Sequence, residues 1–452
     1  MGENSFGTSK THQKSLDSVP ASKEADGLKL EGIPAFNRER FLQRFNEFSR
    51  IGQDQSGAIN RPFGSEAEKE ARGWITAMAQ EAGFTVTVDA IGNMWGGLAG
   101  QHEWPAIAIG SHHDSVPDGG RFDGPLGVLM GIEVLQSLRE AGYENRHPFT
   151  FVSFTAEEPN PFELSTMGSR TISGRLSQEK LLAAKDWQGR PLADAVAEVG
   201  GNLQQVPQAR KTAEDIAAFI ELHIEQGRRL EKRGIPIGVV SGICGIYREL
   251  ITVTGEANHA GTTEFPDRRD ALLATSEMLL ALEQKIGSLN NSSLAATVGR
   301  LNVVPNAMNI IPGSCSWSLE LRSGDMDAVY ALRDDLLPSF EAIASRRQVS
   351  ISREVLLNQQ PEPMHEQVIS TLQTMADELE IPYAPLASMA GHDATHVASF
   401  TKAGMLFVPS IHGKSHCKEE ESRMEDIERA FYVLAAAVRH LDTALAGGRK
   451  LQ

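Results

Sequence analysis

The amino-acid sequence predicts an α/β protein in which helices flank a mixed, mostly parallel sheet. Three short apolar runs, each bounded by turn or charged residues, are typical of buried strands: Ala106–Ile109, Phe149–Phe154 and Ala217–Leu222. Helical stretches lie between these runs, and strands that alternate with helices form mainly parallel sheets. From residue 246 the pattern changes to a ferredoxin-like order of strands and helices, which predicts an inserted α+β domain.

The elements beside these runs follow from local signals. A helix over Glu66–Ala82 is predicted to end at Gly83, and Phe84–Val88 alternates between apolar and polar residues as a strand does. A second helix, over Leu126–Ala141, is predicted to end at Gly142. Glycine is a common helix stop because it takes the left-handed conformation without a steric penalty.

The inserted domain and the segment after it complete the predicted order. The elements are strand Tyr247–Val253, helix Asp270–Ile286, strands Leu294–Val303 and Ser314–Leu321, helix Met326–Ala344, strand Val349–Val355, helix Glu366–Leu379 and strand Met405–Val408. The first six have the βαββαβ order of a ferredoxin-like unit. We therefore predict a disordered tail over residues 1–30, a main domain over 31–245 and 359–452, and an inserted domain over 246–358.

Composition excludes several classes of protein. The 452 residues carry a formal net charge of −16, so the chain lacks the basic face that nucleic-acid binding requires. No apolar run approaches the roughly 20 residues that span a bilayer. The three cysteines, Cys244, Cys315 and Cys417, are odd in number and far apart, which excludes a disulfide framework. Because the N-terminal segment also lacks the apolar core of a secretory signal, we predict a cytoplasmic location.

The first candidate for chemistry is the glycine-rich segment that follows the first apolar run. His112 and Asp114 are two residues apart, so on an extended backbone their side chains leave from the same face. A carboxylate in that place can fix one imidazole tautomer while the other ring nitrogen binds a metal. Asp123 lies further along the glycine-rich loop, which can bring its carboxylate to the same point. Taken alone, His112 is also compatible with a structural histidine at a strand end.

The second apolar run is followed by two adjacent carboxylates, Glu157 and Glu158. Open α/β sheets place their sites at the carboxyl ends of strands. Adjacent carboxylates repel each other, so a cleft that keeps both ionised needs positive charge nearby, which a metal ion supplies. One glutamate can then bind the metal while the other acts as a general base. Taken alone, the pair is also compatible with a solvated loop.

Two further histidines follow predicted strands. His223 ends the third apolar run, and His416 lies a short loop beyond the strand Met405–Val408. Four strand ends would thus each deliver a histidine or a carboxylate to one edge of the sheet. The five donors are His112, Asp123, Glu158, His223 and His416. Nitrogen and oxygen donors without thiolate suit zinc, manganese or cobalt, and two ions that share one carboxylate account for all five.

These motifs, in this order, resemble the metallohydrolases of the aminoacylase and carboxypeptidase G clan, and more closely its hydantoinase/carbamoylase branch of amidases. The resemblance covers roughly residues 36–441 and rests above all on Gly119-Gly-Arg-Phe-Asp-Gly124, Leu222-His-Ile-Glu-Gln-Gly227 and Ala257-Asn-His-Ala-Gly-Thr-Thr263. It implies a metal-dependent amidase of a non-peptide C–N bond, with an N-carbamoyl-L-amino acid as the main candidate substrate. Allantoate, ureidoglycolate or β-ureidopropionate hydrolysis, or an aminoacylase or peptidase activity, are the alternatives. A non-catalytic relative that only binds its ligand is the remote alternative.

The resemblance also implies roles for the residues at the sheet edge. It implies two divalent ions, with His112, Asp123 and His223 around one, and Asp123, Glu158 and His416 around the other. Asp114 would orient His112, and Glu157 would be the general base.

The inserted domain would be a lid and the surface through which two subunits form a homodimer. His259 would stabilise the oxyanion, reaching across into the site of the second subunit. Asn306 and Arg322 would hold a substrate carboxylate, which a guanidinium can bind through two charge-assisted hydrogen bonds. Gln226 and the segment with Gly391 and His392 would line the pocket. From the residues alone, His259 is equally compatible with a turn histidine and Arg322 with a surface salt bridge.

Three segments depart from the pattern of this branch. Pro159-Asn-Pro-Phe162 replaces Gly-x-Arg-Phe after the glutamate pair, Ser415-His-Cys-Lys418 replaces Ser-His-Asn-Pro, and Ser388-Met-Ala390 replaces Ser-Gly-Ala. The expected metal ligands are retained in all three. The departures therefore concern the substrate pocket beside the ligands.

Overall fold

A computed structural model of the chain describes residues 32–289 and 293–447. The helices are α1 (Arg38–Phe48), α2 (Glu66–Glu81), α3 (Pro125–Glu140), α4 (Met167–Ile172), α5 (Gln178–Ala183), α6 (Leu192–Glu198), α7 (Val206–Ala209), α8 (Arg229–Arg233), α9 (Ala271–Leu289), α10 (Met326–Arg347), α11 (Glu366–Glu378), α12 (Ala394–Val397) and α13 (Met424–Ala446). The strands are β1 (Val86–Val88), β2 (Met94–Leu98), β3 (Ala106–His112), β4 (Phe149–Phe154), β5 (Ile216–Ile224), β6 (Ile237–Ile243), β7 (Gly245–Thr254), β8 (Asn258–His259), β9 (Leu294–Thr297), β10 (Leu301–Val304), β11 (Ile310–Ile311), β12 (Ser314–Ser323), β13 (Ser350–Gln359), β14 (Glu362–Pro363), β15 (Tyr383–Ser388) and β16 (Lys402–Val408). The predicted tail over 1–30 lies outside the described residues. Within the described ranges, no helix has both the length and the apolar character needed to cross a membrane.

The main sheet has the strand order β1-β2-β4-β3-β5-β16-β6-β14, and β15 pairs with β6 beside this path. The central strands β4, β3, β5 and β16 are parallel to one another. Antiparallel pairs β1–β2, β2–β4, β16–β6 and β6–β14 extend the sheet on both sides. The sheet is therefore mixed and parallel in its centre rather than mostly parallel throughout. This confirms the predicted α/β fold, and the three apolar runs are the central strands β3, β4 and β5.

Helices cover both faces of the main sheet. One apolar core forms with α1, α2, α3, α11 and α13, and a second forms on the other face with α4, α6, α7 and α12. Helix α3 is buried at every position from Pro125 to Leu138 because it packs on β3, β4 and β5 and is covered by α1 and α13. This packing fixes the loop that enters α3, which carries Asp123.

A second sheet consists entirely of antiparallel pairs in the order β10-β12-β7-β13, with β9 also paired to β12. Helices α9 and α10 contact each other and pack on it, so the order is that of a ferredoxin-like βαββαβ unit. The predicted strand Leu294–Val303 is interrupted. The ladder pairs Thr297 with Glu320 and Leu301 with Trp317, so the edge strand contains one more residue than its partner and forms a bulge. The division of the chain into a main domain and a lid remains a prediction.

Candidate metal centre

The candidate metal centre lies at the carboxyl ends of the four central parallel strands. His112 is the last residue of β3, and His223 is the penultimate residue of β5. Glu157 and Glu158 follow β4, and His416 follows β16. Because these strands are neighbours and parallel, their ends bring the side chains to one edge of the sheet.

The carboxylate of Asp123 lies between two groups of side chains. Its Oδ1 atom is 3.2 Å from Nε2 of His223 and 3.5 Å from Nε2 of His112. Its Oδ2 atom is 3.2 Å from Nε2 of His416, and that nitrogen is 3.3 Å from Oε1 of Glu158. In both groups the possible ligand atoms lie within 4.8 Å of one another. One carboxylate therefore presents one oxygen to each group.

A left-handed glycine allows Asp123 to approach His112 so closely. Gly124 has φ +84°, and a Cβ atom there would lie 2.4 Å from Cε1 of the His112 ring. Any other residue would displace the imidazole as well as strain the backbone. Helix α3 starts directly afterwards at Pro125, whose fixed φ suits a first helical position.

Asp114 connects the ends of β3 and β4. It accepts hydrogen bonds from the backbone N–H groups of Glu157 at 3.2 Å and of Glu158 at 3.0 Å. Nδ1 of His112 is 3.1 Å from the backbone carbonyl oxygen of Asp114 and 3.5 Å from its Oδ1 atom. Ala156, at φ 54°, makes the left-handed turn that directs both glutamates back toward the cluster. The contacts of Asp114 are those of a residue that positions its neighbours.

Most of this cluster is buried, and burial perturbs its carboxyl groups. Burial raises the pKa of Glu157 well above its usual value, an effect that His112 opposes and Glu158 reinforces. Burial also favours the neutral form of Asp123, but the neighbouring His223 and His112 hold the pKa of Asp123 well below its usual range. Hydrogen bonds with Asp123 and Glu158 raise the pKa of His416 to about 11.

The donor set fits divalent metal ions. Three carboxylates within a few ångströms repel one another unless positive charge lies among them. Imidazole nitrogens and carboxylate oxygens without thiolate are the ligands of zinc, manganese and cobalt sites. Three groups of side chains could therefore hold metal, and they overlap: His112, Asp123 and His223; Asp123, Glu158 and His416; and His112, Glu157 and Glu158.

Gln226 and His392 also lie at the cluster. The side-chain amide of Gln226 donates to Oδ2 of Asp123 at 2.6 Å and is 3.4 Å from Nε2 of His416. Gln226 has φ 57°, and its backbone N–H donates to Ser410. The buried ring of His392, which follows Gly391, meets the ring of His223 edge-on at a centroid distance of 4.6 Å.

Three predicted residues lie outside the cluster. His259 is exposed on β8, and its Nδ1 accepts a hydrogen bond from the backbone N–H of Gly261 in its own turn. Asn306 is exposed after β10 at φ 58°. Arg322, on β12, donates to Glu320 at 2.7 Å and to the backbone carbonyl of Met389 at 2.9 Å. His259 and Asn306 therefore lie away from the metal-centre cluster of this chain. Arg322 contacts the segment that carries His392.

Sequence reasoning missed several buried charged residues behind the site, among them Arg61 and Glu420. Arg61 donates from Nε to the carbonyl of His113 and from Nη1 to that of Ile51. Burial lowers the pKa of Arg61 to about 10, although the negative charge of Asp114 acts to raise it. Burial, reinforced by the charge of Asp123, raises the pKa of Glu420 to about 7. An isolated arginine and an acidic run are typical of exposed surfaces, so neither residue gave a local signal.

Comparisons with known proteins find relatives that match most of the chain. The sequence pattern of Peptidase family M20/M25/M40 matches residues 108–440. The N-carbamoyl-L-amino acid amidohydrolase of Geobacillus stearothermophilus is 36% identical over 393 residues, which cover 86% of this chain and 94% of that protein. The allantoate amidohydrolase of Escherichia coli K12 is 30% identical over 395 residues, covering 87% and 95%. Among solved structures, an amidase of the hydantoinase/carbamoylase family from Burkholderia multivorans has a TM-score of 0.81 and 33% identity, covering 90% of this chain and 98% of that one.

Proposed function

The chain belongs to Peptidase family M20/M25/M40, and from that premise we propose that it is a metal-dependent amidohydrolase of an N-carbamoyl-L-amino acid. One water molecule converts this substrate to the amino acid, CO2 and NH3. The observation that carries the proposal is the carboxylate of Asp123, whose Oδ1 atom lies beside His112 and His223 and whose Oδ2 atom lies beside His416. The identity with an N-carbamoyl-L-amino acid amidohydrolase over most of the chain supports the substrate class.

The family depends on metal, and we assign two divalent ions (zinc, manganese or cobalt) to this centre. His112, Asp123 and His223 would hold one, and Asp123, Glu158 and His416 would hold the other. When bound, such ions lower the pKa of a water molecule to about 7 and polarise a carbonyl group.

Glu157 is the group that moves protons in this proposal. It lies in the cluster with His112 and Glu158, but its Oε2 atom is 3.9 Å from Nε2 of His112, beyond hydrogen-bond distance. Because burial raises its pKa, its carboxylate is suited to take a proton from the attacking water and to return it to the departing nitrogen. Asp114 keeps both Glu157 and His112 in place for this transfer.

Residues of both sheets would bind the substrate. Gln226, Gly391 and His392 would line the pocket beside the metals, whereas Asn306 and Arg322 would hold the substrate carboxylate. The bond from Arg322 to the carbonyl of Met389 supports this, because it brings the guanidinium next to the segment of His392. The inserted domain would act as a lid whose closure excludes water from the pocket.

We propose that the active form is a homodimer in the cytoplasm and that His259 stabilises the oxyanion in the second subunit's site. The exposure of His259, away from its own chain's cluster, supports this arrangement. Mixing Glu157→Gln and His259→Ala proteins should then restore roughly a quarter of the wild-type activity, since a mixed dimer contains one intact site. Light scattering checks for dimers, and differently tagged chains check for subunit exchange. If the subunits exchanged and no activity were recovered, His259 would act in the site of its own subunit.

Removal of metal should abolish turnover. We expect about two divalent ions per chain. Dialysis against a chelator should lower activity to background, because bound ions would lower the pKa of the attacking water and polarise the substrate carbonyl. Elemental analysis measures the ions, and adding back zinc, manganese and cobalt separately identifies which restores activity. A chelated protein with full activity would contradict the proposal.

The substrate is tested by ammonia release from a panel of ureido compounds. We expect the highest kcat/KM for an N-carbamoyl-L-amino acid over its D-enantiomer, allantoate, ureidoglycolate and β-ureidopropionate. Dipeptides and N-acetyl amino acids, followed by amine release, serve as controls for peptidase or aminoacylase activity. Allantoate is the second candidate because of the similarity to the Escherichia coli allantoate amidohydrolase. A metal-loaded protein that cleaves none of these would be a binding relative rather than an enzyme of this class.

A further inference from the structure

Glu420 is a buried carboxylate within an exposed acidic run. Its exposed fraction is 2%, whereas Glu419 is exposed and Glu421 pairs with Arg121 at the surface. A lone buried carboxylate is costly unless its oxygens accept hydrogen bonds. The hydrogen-bond partners of Glu420 therefore indicate its role.

The partners of Glu420 belong to the two loops that carry metal-centre residues. Its Oε1 atom accepts the backbone N–H groups of Phe122 at 2.7 Å and Asp123 at 3.0 Å. Its Oε2 atom is 3.1 Å from Oγ of Ser415, and the same hydroxyl is 2.8 Å from Oδ2 of Asp123. These contacts form a closed ring through Glu420, Asp123 and Ser415, next to His416 in sequence.

The loop before Asp123 is shaped around the side chain of Glu420. A Cβ atom on Gly120 would lie 2.3 Å from Oε1 of Glu420, so a side chain at 120 would collide with the carboxylate. The second glycine of the Gly119-Gly120 pair is therefore explained by the close approach of Glu420. Within the described ranges, Glu420 belongs to none of the possible metal-binding groups, so it acts through Asp123 and Ser415.

We propose that Glu420 is a positioning residue that ties the loop of residues 120–123 to that of residues 415–416 and thereby sets the metal group formed by Asp123, Glu158 and His416. This inference rests on the metal centre of the proposed function. His112 and His223 are held by strands β3 and β5, whereas His416 is held by a loop and its side chain is 49% exposed. Loss of Glu420 should therefore weaken the group that contains His416 more than the group that contains His112.

The test measures Mn²⁺ binding to the full chain, without substrate, by titration in competition with a chelator. Glu420→Ala should keep one ion near wild-type affinity and bind the other about 10- to 100-fold more weakly, the usual cost of losing a group that orients a metal ligand. Ser415→Ala should weaken the same ion. Glu420→Gln should lose less, because its amide oxygen can accept both backbone N–H groups and its NH2 group can donate to Ser415. Glu419→Ala is the matched control and should bind Mn²⁺ as the wild type does.

Melting temperatures with and without chelator separate positioning from a general effect on stability. A positioning role predicts that Glu420→Gln and Ser415→Ala melt near the wild type when chelated, while Mn²⁺ raises the melting temperature less than in the wild type. The inference would be overturned if the variants lowered the melting temperature equally with and without metal, or if Glu420→Ala bound two ions with wild-type affinity. If the wild type itself bound no metal, the proposed function would fail, and that result is distinct from the failure of Glu420 alone.

Discussion

Glu157→Gln is expected to lower kcat by about 10²- to 10⁴-fold while the metal content stays that of the wild type. Glutamine has nearly the same shape and no charge, and the buried carboxyl of Glu157 already has its pKa raised by burial, so the fold should tolerate the change. Glutamine cannot accept a proton from water at neutral pH. The loss should therefore fall on kcat, with a small change in KM, and elemental analysis of the same sample should give the wild-type metal count.

The adjacent Glu158→Gln variant is the matched comparison. Glu158 is 3.3 Å from Nε2 of His416 and belongs to a possible metal-binding group with Asp123. Its replacement should lower metal content, and excess metal should restore part of the activity. If excess metal restored the activity of Glu157→Gln, Glu157 would be the metal ligand and Glu158 the proton acceptor. If Glu157→Gln kept a kcat near that of the wild type, Glu157 would not be the proton acceptor.

The central part of the fold could be predicted because short apolar runs flanked by turn residues leave few alternatives to buried strands. The sequence did not predict β15, over Tyr383–Ser388, because Pro385 argues against a strand. The structure tolerates this proline because β15 pairs with β6 alone. The bulge near Gly299 was also unpredictable, because it depends on the register with β12.

The approach of the five donors His112, Asp123, Glu158, His223 and His416 could be predicted because they follow the carboxyl ends of predicted parallel strands, and their roles remain predictions. His112 and His223 lie on strands, so their direction is set by the backbone. The contacts of Arg61 and Glu420 depend on partners that are far away in the sequence, such as His113 and Asp123. No local pattern records such contacts.

Asp123→Ala is expected to abolish activity and to lower metal binding at both groups, because one carboxylate serves both. Its Oδ1 atom lies beside His112 and His223, and its Oδ2 atom lies beside His416.

Without Asp123, each metal group loses one ligand and the charge that brings its histidines together, so two metal affinities should fall in one variant. By contrast, His416→Ala should weaken only one ion. Asp118→Asn is the control, since Asp118 is exposed in the same loop and asparagine tolerates its φ of 52°. The measurement is metal per chain after dialysis, together with kcat. If Asp123→Ala kept one ion at wild-type affinity, Asp123 would serve a single metal, and the dinuclear centre with a shared carboxylate would be wrong.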